Sequence, residues 1–557
     1  MRHTVSIYIL LLCSGISFSQ RSPVSIGVDA SRPIGDMKTF WSFFGYDEPN
    51  YTYRENGKKL LTELKQLSPV TVYVRTHNLL TSKGNSEGPD LKWGFTDAYK
   101  EDANGKPFYN WTIVDSIIDA YVQRGMKPLM EIGFMPKDLS IKSDPYEHTW
   151  SKGGNIWTGW TYPPKDYNKW RELVYQWTKH SIERYGKQEV TTWLWEVWNE
   201  PDIGYWSGTF EEYCKLYDYA VDGLKRACPE CTIGGPHTTS PRNEKAYNYL
   251  TKFIEHCLHG KNYATGKTGT PLQYIGFHAK GSPEFVEGHI RMNMSVQLKD
   301  VQKAFEAVNS FPQLKNIPVI IGECDPEGCA ACSEKRDPKY GYRNSAMYSS
   351  YTASSFARIY ELMDQYKVNL KGAVSWSFEF EDQEWFAGFR DLATHGVDKP
   401  VLNIFRMFGM MDGKRISVTS DKGLTAADII AKGVRGENDI NAIASKGQNS
   451  LCIMIWNYHD EDVAANTSPV ELNIKGLEKN KVLVHHYRVD KQFSNSFEKW
   501  KAIGKPQQVT EEQYKELEKA GQLQLYTSPE WKETKNGTAT LKFDLALQAV
   551  SFIQLTW

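Results

Sequence analysis

Between Phe40 and Phe378, eight short apolar or β-branched runs alternate with longer amphipathic stretches. The runs are Phe40–Gly45, Val70–Arg75, Pro128–Gly133, Trp193–Asn199, Thr232–Gly235, Tyr274–His278, Val319–Glu323 and Ala373–Phe378. Helix-like segments separate them, among them Lys58–Leu67, Trp111–Arg124, Tyr167–Tyr185, Phe210–Arg226, Gln297–Val308 and Ala346–Tyr366. Parallel strands cannot be joined by a tight turn, so this alternation predicts crossover helices and a parallel sheet. Eight such units predict an α/β fold closed as a (β/α)8 TIM barrel.

After about Arg406 the pattern changes. SLCIMIWNY, VLVHHYRVD, TATLKFDL and AVSFIQLTW are strand-like and separated by polar turns, which predicts a C-terminal antiparallel β-sandwich over 407–557, interrupted by one helix at Glu511–Ala520. The barrel is expected over 36–406, and the early VSIGVDA within 20–35 is expected to add a strand to the second domain. Residues 1–19 combine Arg2 and His3, an apolar stretch from Val5 to Ile16 and small residues at Ser17 and Ser19, the pattern of a Sec signal peptide. A secreted or periplasmic protein is the expectation, and Leu12 before Cys13 fits a lipoprotein cleavage site poorly. No other run approaches the 18 or so apolar residues that a membrane span needs.

The 66 Lys+Arg balance 67 Asp+Glu, so charge gives no reason to expect nucleic acid or an anionic membrane as partner. Aromatics are 13% of residues, and flat rings with polar edges suit the C–H faces of sugars. Cys324, Cys329 and Cys332 have C-x4-C-x2-C spacing, which formally matches an iron–sulfur pattern. No fourth ligand is evident nearby, and export favours a local disulfide or free thiols, so no metal or cofactor is expected. Cys228 and Cys231 carry the same ambiguity.

The chemistry centres on WLWEVWNEPD, Trp193–Asp202, which holds Glu196 and Glu200 on one apparent strand. Alternation puts both on one face, and four residues separate them by roughly 13 Å along it. Barrel interiors are packed and active sites sit at the C-terminal mouth. Pro201 cannot donate a ladder bond and marks the strand end, so Glu200 is the residue at the mouth. IPVIIGECD likewise runs apolar into Glu323, with Asp325 and Glu327 as rivals. Two glutamates closing the fourth and seventh barrel strands are what glycosidic cleavage requires: one protonates the departing oxygen, and the other attacks or assists at the anomeric carbon.

WEVWNEPD with a later strand-end Glu resembles barrel glycoside hydrolases. VRTHNLL, EIGFMPKDL, YPPKDYNKW, IGGPHT and GKPQQVTEEQ resemble, more narrowly, glycoside hydrolase family 39, which includes β-xylosidases and α-L-iduronidase. The resemblance implies retention, with Glu200 as acid/base and Glu323 as nucleophile. Glu200 is then expected to have a raised pKa beside an ionised Glu323. Arg75 is the expected charge partner of Glu323. Asn199 is expected on the sugar 2-hydroxyl, which requires a break in the pleat if Glu200 faces the same pocket. His77, His278 and Trp376 are further substrate-binding candidates.

The sugar is less constrained. EIGFMPK and YPPKDY resemble the β-xylosidase branch, whereas HAKG and GECDP resemble the iduronidase branch. A secreted, exo-acting β-D-xylosidase-like enzyme is the leading expectation, with an α-L-iduronidase-type or other uronic substrate as the alternative. Lys280 and Arg390 would favour the acidic sugar if both face the pocket. A non-catalytic carbohydrate-binding protein would be expected to lack one strand-end glutamate. A metallohydrolase would need denser His/Asp clustering than His77 and His278 provide. Oligomeric state is not legible.

Overall fold

The computed structural model describes residues 22–84, 93–150, 154–377, 382–463 and 467–557. The expected leader at 1–19 and Phe378, the end of the eighth expected run, lie outside the described residues. The first element among the described residues is β1 (Val24–Asp36), and the barrel follows it. Its strands are β2 (Phe43–Tyr46), β3 (Tyr73–Thr76), β4 (Lys127–Ile132), β5 (Leu194–Val197), β6 (Thr232–Thr238), β7 (Tyr274–Lys280), β8 (Pro318–Asp325) and β9 (Asn369–Trp376). Each is parallel to its sequence neighbours, and β9 pairs with β2 to close the cylinder. The helices α1 (Glu55–Gln66), α2 (Thr112–Val122), α3 (Tyr167–Tyr185), α4 (Phe210–Ala227), α5 (Glu244–His259), α6 (Met294–Asn309), α7 (Ala346–Tyr366) and α8 (Leu402–Gly409) fall between and after them.

Side-chain alternation divides the barrel interior into layers. Phe43, Leu129, Leu194, Tyr274, Ile320 and Val374 form one buried apolar cluster at the base. Two residues further along the same strands stand Gly45, Glu131, Glu196, Gly276, Gly322 and Trp376. With Arg75 on β3, two residues beyond Tyr73, the middle of the barrel is charged and partly side-chain-free. The mouth lies one step further.

The second domain is a nine-stranded sheet in the order β15-β14-β17-β12-β11-β10-β1-β13-β16. Its further strands are β10 (Lys414–Ser420), β11 (Asp439–Lys446), β12 (Ser450–Tyr458), β13 (Ser468–Lys475), β14 (Lys481–Val489), β15 (Gln524–Glu533), β16 (Ala539–Leu545) and β17 (Val550–Thr556). All pairs are antiparallel except β1 with β13. The sheet folds over so that its ends face each other. The His486 and Phe543 rings lie 4.9 Å apart, and Arg488 Nη2 donates to the Asp544 carbonyl at 2.9 Å. Residues from β1, β10, β12, β13, β14 and β17 therefore share one buried core. Among the described residues, three helices rather than the one expected interrupt these strands, at Ala426–Lys432, Ser496–Ala502 and Glu511–Gly521.

Helix α7 explains how barrel and sheet join. It is buried from Ala346 through Tyr360 with no exposed stripe, as expected of a helix covered on all sides. Ser349, Ser350, Ala353, Ser354, Ser355 and Ala357 keep its surface small, and the helix packs against β12. Arg358 Nη2 donates to both Asp439 oxygens at 2.9 and 2.8 Å, and Ser354 and the Trp456 indole donate to Oδ2 at 3.0 and 2.8 Å. Asp439→Ala leaves Arg358 buried without its main counter-charge. That substitution should cost about 3–5 kcal/mol of stability, whereas replacing Arg358 and Asp439 together by apolar residues should recover much of it, read by urea unfolding.

Candidate active site

Both mouth glutamates are aimed by local departures from strand geometry. Strand β5 stops at Val197, and Trp198 and Glu200 then take positive φ of 74° and 47°. Such backbone is costly for bulky residues and persists where surroundings enforce it. Here the Trp198 indole donates to the Tyr205 carbonyl at 2.6 Å and packs between Phe134 and Trp206, while Glu200 N–H donates to the His237 carbonyl at 3.1 Å. The break turns Asn199 and Glu200 toward one pocket. On β8 the pairing with β7 runs Phe277 to Ile321 and then His278 to Glu323, skipping Gly322. This bulge reverses the alternation and brings Glu323 inward.

The two carboxylates meet over one cation. Lys280 Nζ is 2.6 Å from Glu200 Oε1 and 2.7 Å from Glu323 Oε2. His278 Nδ1 is 2.8 Å from the same Glu200 oxygen and 3.6 Å from Glu323 Oε1. An oxygen of each glutamate and a ring nitrogen of His278 all lie within 4.8 Å of one another, close enough to hold a metal ion. The cation that sits between the carboxylates is the Lys280 ammonium.

Burial would raise both carboxyls, but Lys280 and His278 outweigh it and hold both below the usual carboxylate range. For Glu200 this reverses the sequence expectation. The charge of Glu323 does push Glu200 upward, and Lys280, whose contact was not foreseeable, pulls harder. Burial would lower Lys280, and the two carboxylates beside it raise it instead. Burial takes His278 down to about 4, so at neutral pH the imidazole is uncharged.

Beneath the pair lies the charged layer. Arg75 Nε donates to Glu196 Oε1 at 2.8 Å, Nη2 to Asn199 Oδ1 at 3.1 Å, and Nη1 lies 3.5 Å from Glu323 Oε1. Glu196 is thus the nearer partner, and Arg75 supports Glu323 and Asn199 together. Burial raises Glu131, 3.6 Å from Arg75, above its ordinary range, whereas Arg75 and His237 overcome burial at Glu196 and lower it. His237 Nε2 stands 2.6 Å from Glu196 Oε2, and its ring occupies the space left by Gly276 and Gly322.

A pocket of about 300 Å³ opens above, lined by Asp47, Asn199, Glu200, Lys280, Glu323 and Arg390, among others. Not every expected binding residue reaches it. His77 lies behind Glu323, with Nδ1 2.8 Å from Asp47 and Nε2 3.1 Å from Glu131, and His278 lies behind Glu200. Trp376 is also off the wall. Its indole faces Asp47 Oδ2 at 3.3 Å, and Arg75 and Arg390 lie over its ring at 5.8 and 5.9 Å. Arg390 is on the wall but committed, with Nη1 3.0 Å from Glu327 Oε1 and Nη2 3.6 Å from Asp325.

Sequence reading did not single out Asp47, Glu131, His237, Arg242 or Arg336. Asp47 follows the first barrel strand, the signal used for Glu323, and was legible. The others depend on neighbours distant in sequence. The cysteines pair locally as Cys228–Cys231 and Cys329–Cys332, and Cys324 is a buried free thiol.

A closed parallel barrel with two facing glutamates at its C-terminal mouth defines the class of barrel glycosidases. The model for Glycosyl hydrolases family 39 matches residues 24–536, and the chain belongs to that family of O-glycosyl hydrolases. It is 26% identical to a β-xylosidase of Caldicellulosiruptor saccharolyticus over 96% of this chain and 99% of that protein. It is 24% identical to the α-L-iduronidase of Mus musculus over 89% of this chain and 75% of that protein. The GH39 enzyme from Xanthomonas axonopodis pv. citri shares the fold with a TM-score of 0.75 at 17% identity, covering 98% and 99% of the two chains.

An alanine methyl at Gly322 would collide with the His237 ring, whereas at Gly328 it meets the Lys280 side chain at an ordinary 3.5 Å. Gly322→Ala should therefore lose about 1–3 kcal/mol in denaturant unfolding. Gly328→Ala should stay within about 0.5 kcal/mol.

Proposed function

We propose that the enzyme is a secreted, exo-acting, retaining glycosidase, β-D-xylosidase-like, in which Glu323 is the nucleophile and Glu200 the acid/base. The observation that carries this reading is the approach of the two carboxylates to within 4.8 Å. Retention works with carboxyl groups about 5–5.5 Å apart, whereas inversion needs roughly 6.5–9.5 Å for an intervening water. Exo action is supported by a pocket near the small end of ligand-site volumes. The leader-like 1–19 and two local disulfides support secretion.

In this mechanism Glu323, ionised beside Lys280, His278 and Arg75, attacks the anomeric carbon while Glu200 gives its proton to the leaving oxygen. Water then enters with Glu200 as base and releases the sugar with its configuration kept. Asn199, held by Arg75, is placed for the 2-hydroxyl. Lys280 sets the protonation cycle. While it bridges both glutamates it opposes protonation of Glu200, and a sugar that draws the ammonium away lets Glu200 take up its proton.

That same lysine supports a second reading. An ammonium at the wall of the sugar site is suited to a uronate carboxylate, as in an α-L-iduronidase-type substrate. Hydrolysis of aryl β-D-xyloside, α-L-iduronide, α-L-arabinopyranoside and β-D-galactoside separates the readings.

Glu200→Gln should lower turnover of substrates with poor leaving groups by about 10²–10⁴ and spare activated aryl glycosides more. Glu323→Ala should stop both, and NMR of the first-formed sugar should show the retained anomer. An inverted anomer, or an equal effect from Glu196→Gln alone, would overturn the assignment.

The pH profile tests Lys280. A depressed Glu200 pKa makes the proton donor lose its proton at low pH, so the basic limb of kcat/KM lies on the acid side in the free enzyme. Lys280→Met removes the cation from both carboxylates. Both limbs should then move to higher pH by roughly 1–3 units, read with a substrate whose leaving group needs protonation.

A further inference from the structure

Among the described residues four cationic side chains line the active-site pocket, Arg242, Lys280, Arg336 and Arg390, and three are ion-paired within the protein. Lys280 bridges Glu200 and Glu323. Arg390 pairs with Asp325 and Glu327, and Arg242 Nη1 pairs with Asp300. Arg336 differs. Its Nη2 is buried without a hydrogen-bond partner, and among the described residues no carboxylate lies within ion-pairing distance of its guanidinium.

A guanidinium nitrogen removed from water and left unbonded costs free energy, and in a ligand pocket that cost is recovered when a ligand supplies the acceptor. The group is also well held. The β8–α7 loop that carries it is tied by the Cys329–Cys332 disulfide. Arg343 braces the same loop, donating to the Cys332 and Cys329 carbonyls at 2.7 and 2.6 Å and to Glu327 Oε1 at 2.6 Å. Asp337 caps the turn that follows by accepting from Lys339 N–H. The positive charge thus stands on a braced wall, in a planar fork that matches the oxygens of a carboxylate or sulfate.

Depth decides which part of a substrate it meets. Glu323 is 4% exposed and, as the proposed nucleophile, is where the first sugar would lie, whereas Arg336 is only half-buried and so stands closer to solvent, toward the mouth. In an exo-acting pocket the mouth holds the leaving group. We propose that Arg336 binds a carboxylate or sulfate on the leaving-group residue, making this a glycosidase for chains whose penultimate unit is anionic. The inference rests on the assignment of Glu200 and Glu323 to the floor.

The test uses the full-length enzyme and three aryl glycosides of the one sugar selected by the substrate panel. Their aglycones carry a carboxylate, a sulfate or a methyl ester. The quantity read is kcat/KM for each charged aglycone divided by that for the ester. Comparing this ratio between wild type and variant cancels differences in leaving ability. Arg336→Gln should lower it roughly 10- to 100-fold for the carboxylate, the sulfate or both, as expected for a lost charge-assisted hydrogen bond. Arg336→Lys should restore part of it, and NaCl should erode it in wild type.

A ratio unchanged in Arg336→Gln overturns the proposal. So does a loss that appears only when the acid is moved to the first sugar, because the guanidinium would then serve the floor. Loss of turnover on the neutral ester in Glu323→Ala tests the underlying glycosidase reading separately.

Discussion

Arg75 is the charge around which the barrel interior is arranged. Glu196 and Glu131 are fully buried, and an ionised carboxylate in such a place survives only when paired or protonated. One guanidinium meets this demand by reaching Glu196 through Nε, Asn199 through Nη2 and Glu323 through Nη1. Glu131, left with the weaker share, is pushed by burial toward its protonated form. The layer ties the deep Glu196 to Asn199 and Glu323 at the mouth through one side chain.

Two interruptions of regular strand geometry convert that layer into a site. Without the positive φ at Trp198 and Glu200, adjacent residues would face opposite ways, and Asn199 and Glu200 would not share a pocket. Without the bulge at Gly322, Glu323 would point away from the barrel axis. Gly322 and Gly276 also leave room for His237, whose carbonyl holds Glu200 N–H and whose ring abuts Glu196. One residue therefore touches the supports of both mouth glutamates, through its backbone carbonyl at Glu200 and its ring at Glu196. Above them Lys280 contacts both glutamates, so in the proposed mechanism proton transfer at Glu200 and any charge on the substrate would act on the same ammonium.

Much of the fold was legible because its causes are local or periodic. Each of the eight expected runs overlaps one barrel strand, and the later strand-like segments fall in the nine-stranded sheet. Glu200 and Glu323 were legible because each ends an apolar run, one of them before a proline. The pairing of Arg390 with Asp325 and Glu327 was not, nor was the withdrawal of His77 and Trp376 from the pocket wall. Strand-end position predicts that a side chain reaches the mouth. It does not predict which neighbour claims it there.

The amino-acid sequence by itself determined the order of strands and helices, the barrel they close into, and the two glutamates at its mouth, because hydrophobic period and strand ends are properties of contiguous residues. Tertiary structure alone decided how those glutamates are charged and which cations remain free to meet a substrate. Lys280 lies 80 and 43 residues from the carboxylates it bridges (280 − 200 and 323 − 280), and Arg336 stands without an acidic partner among the described residues. Electrostatic outcome depends on distances and burial among residues far apart in the chain, and only folding sets those.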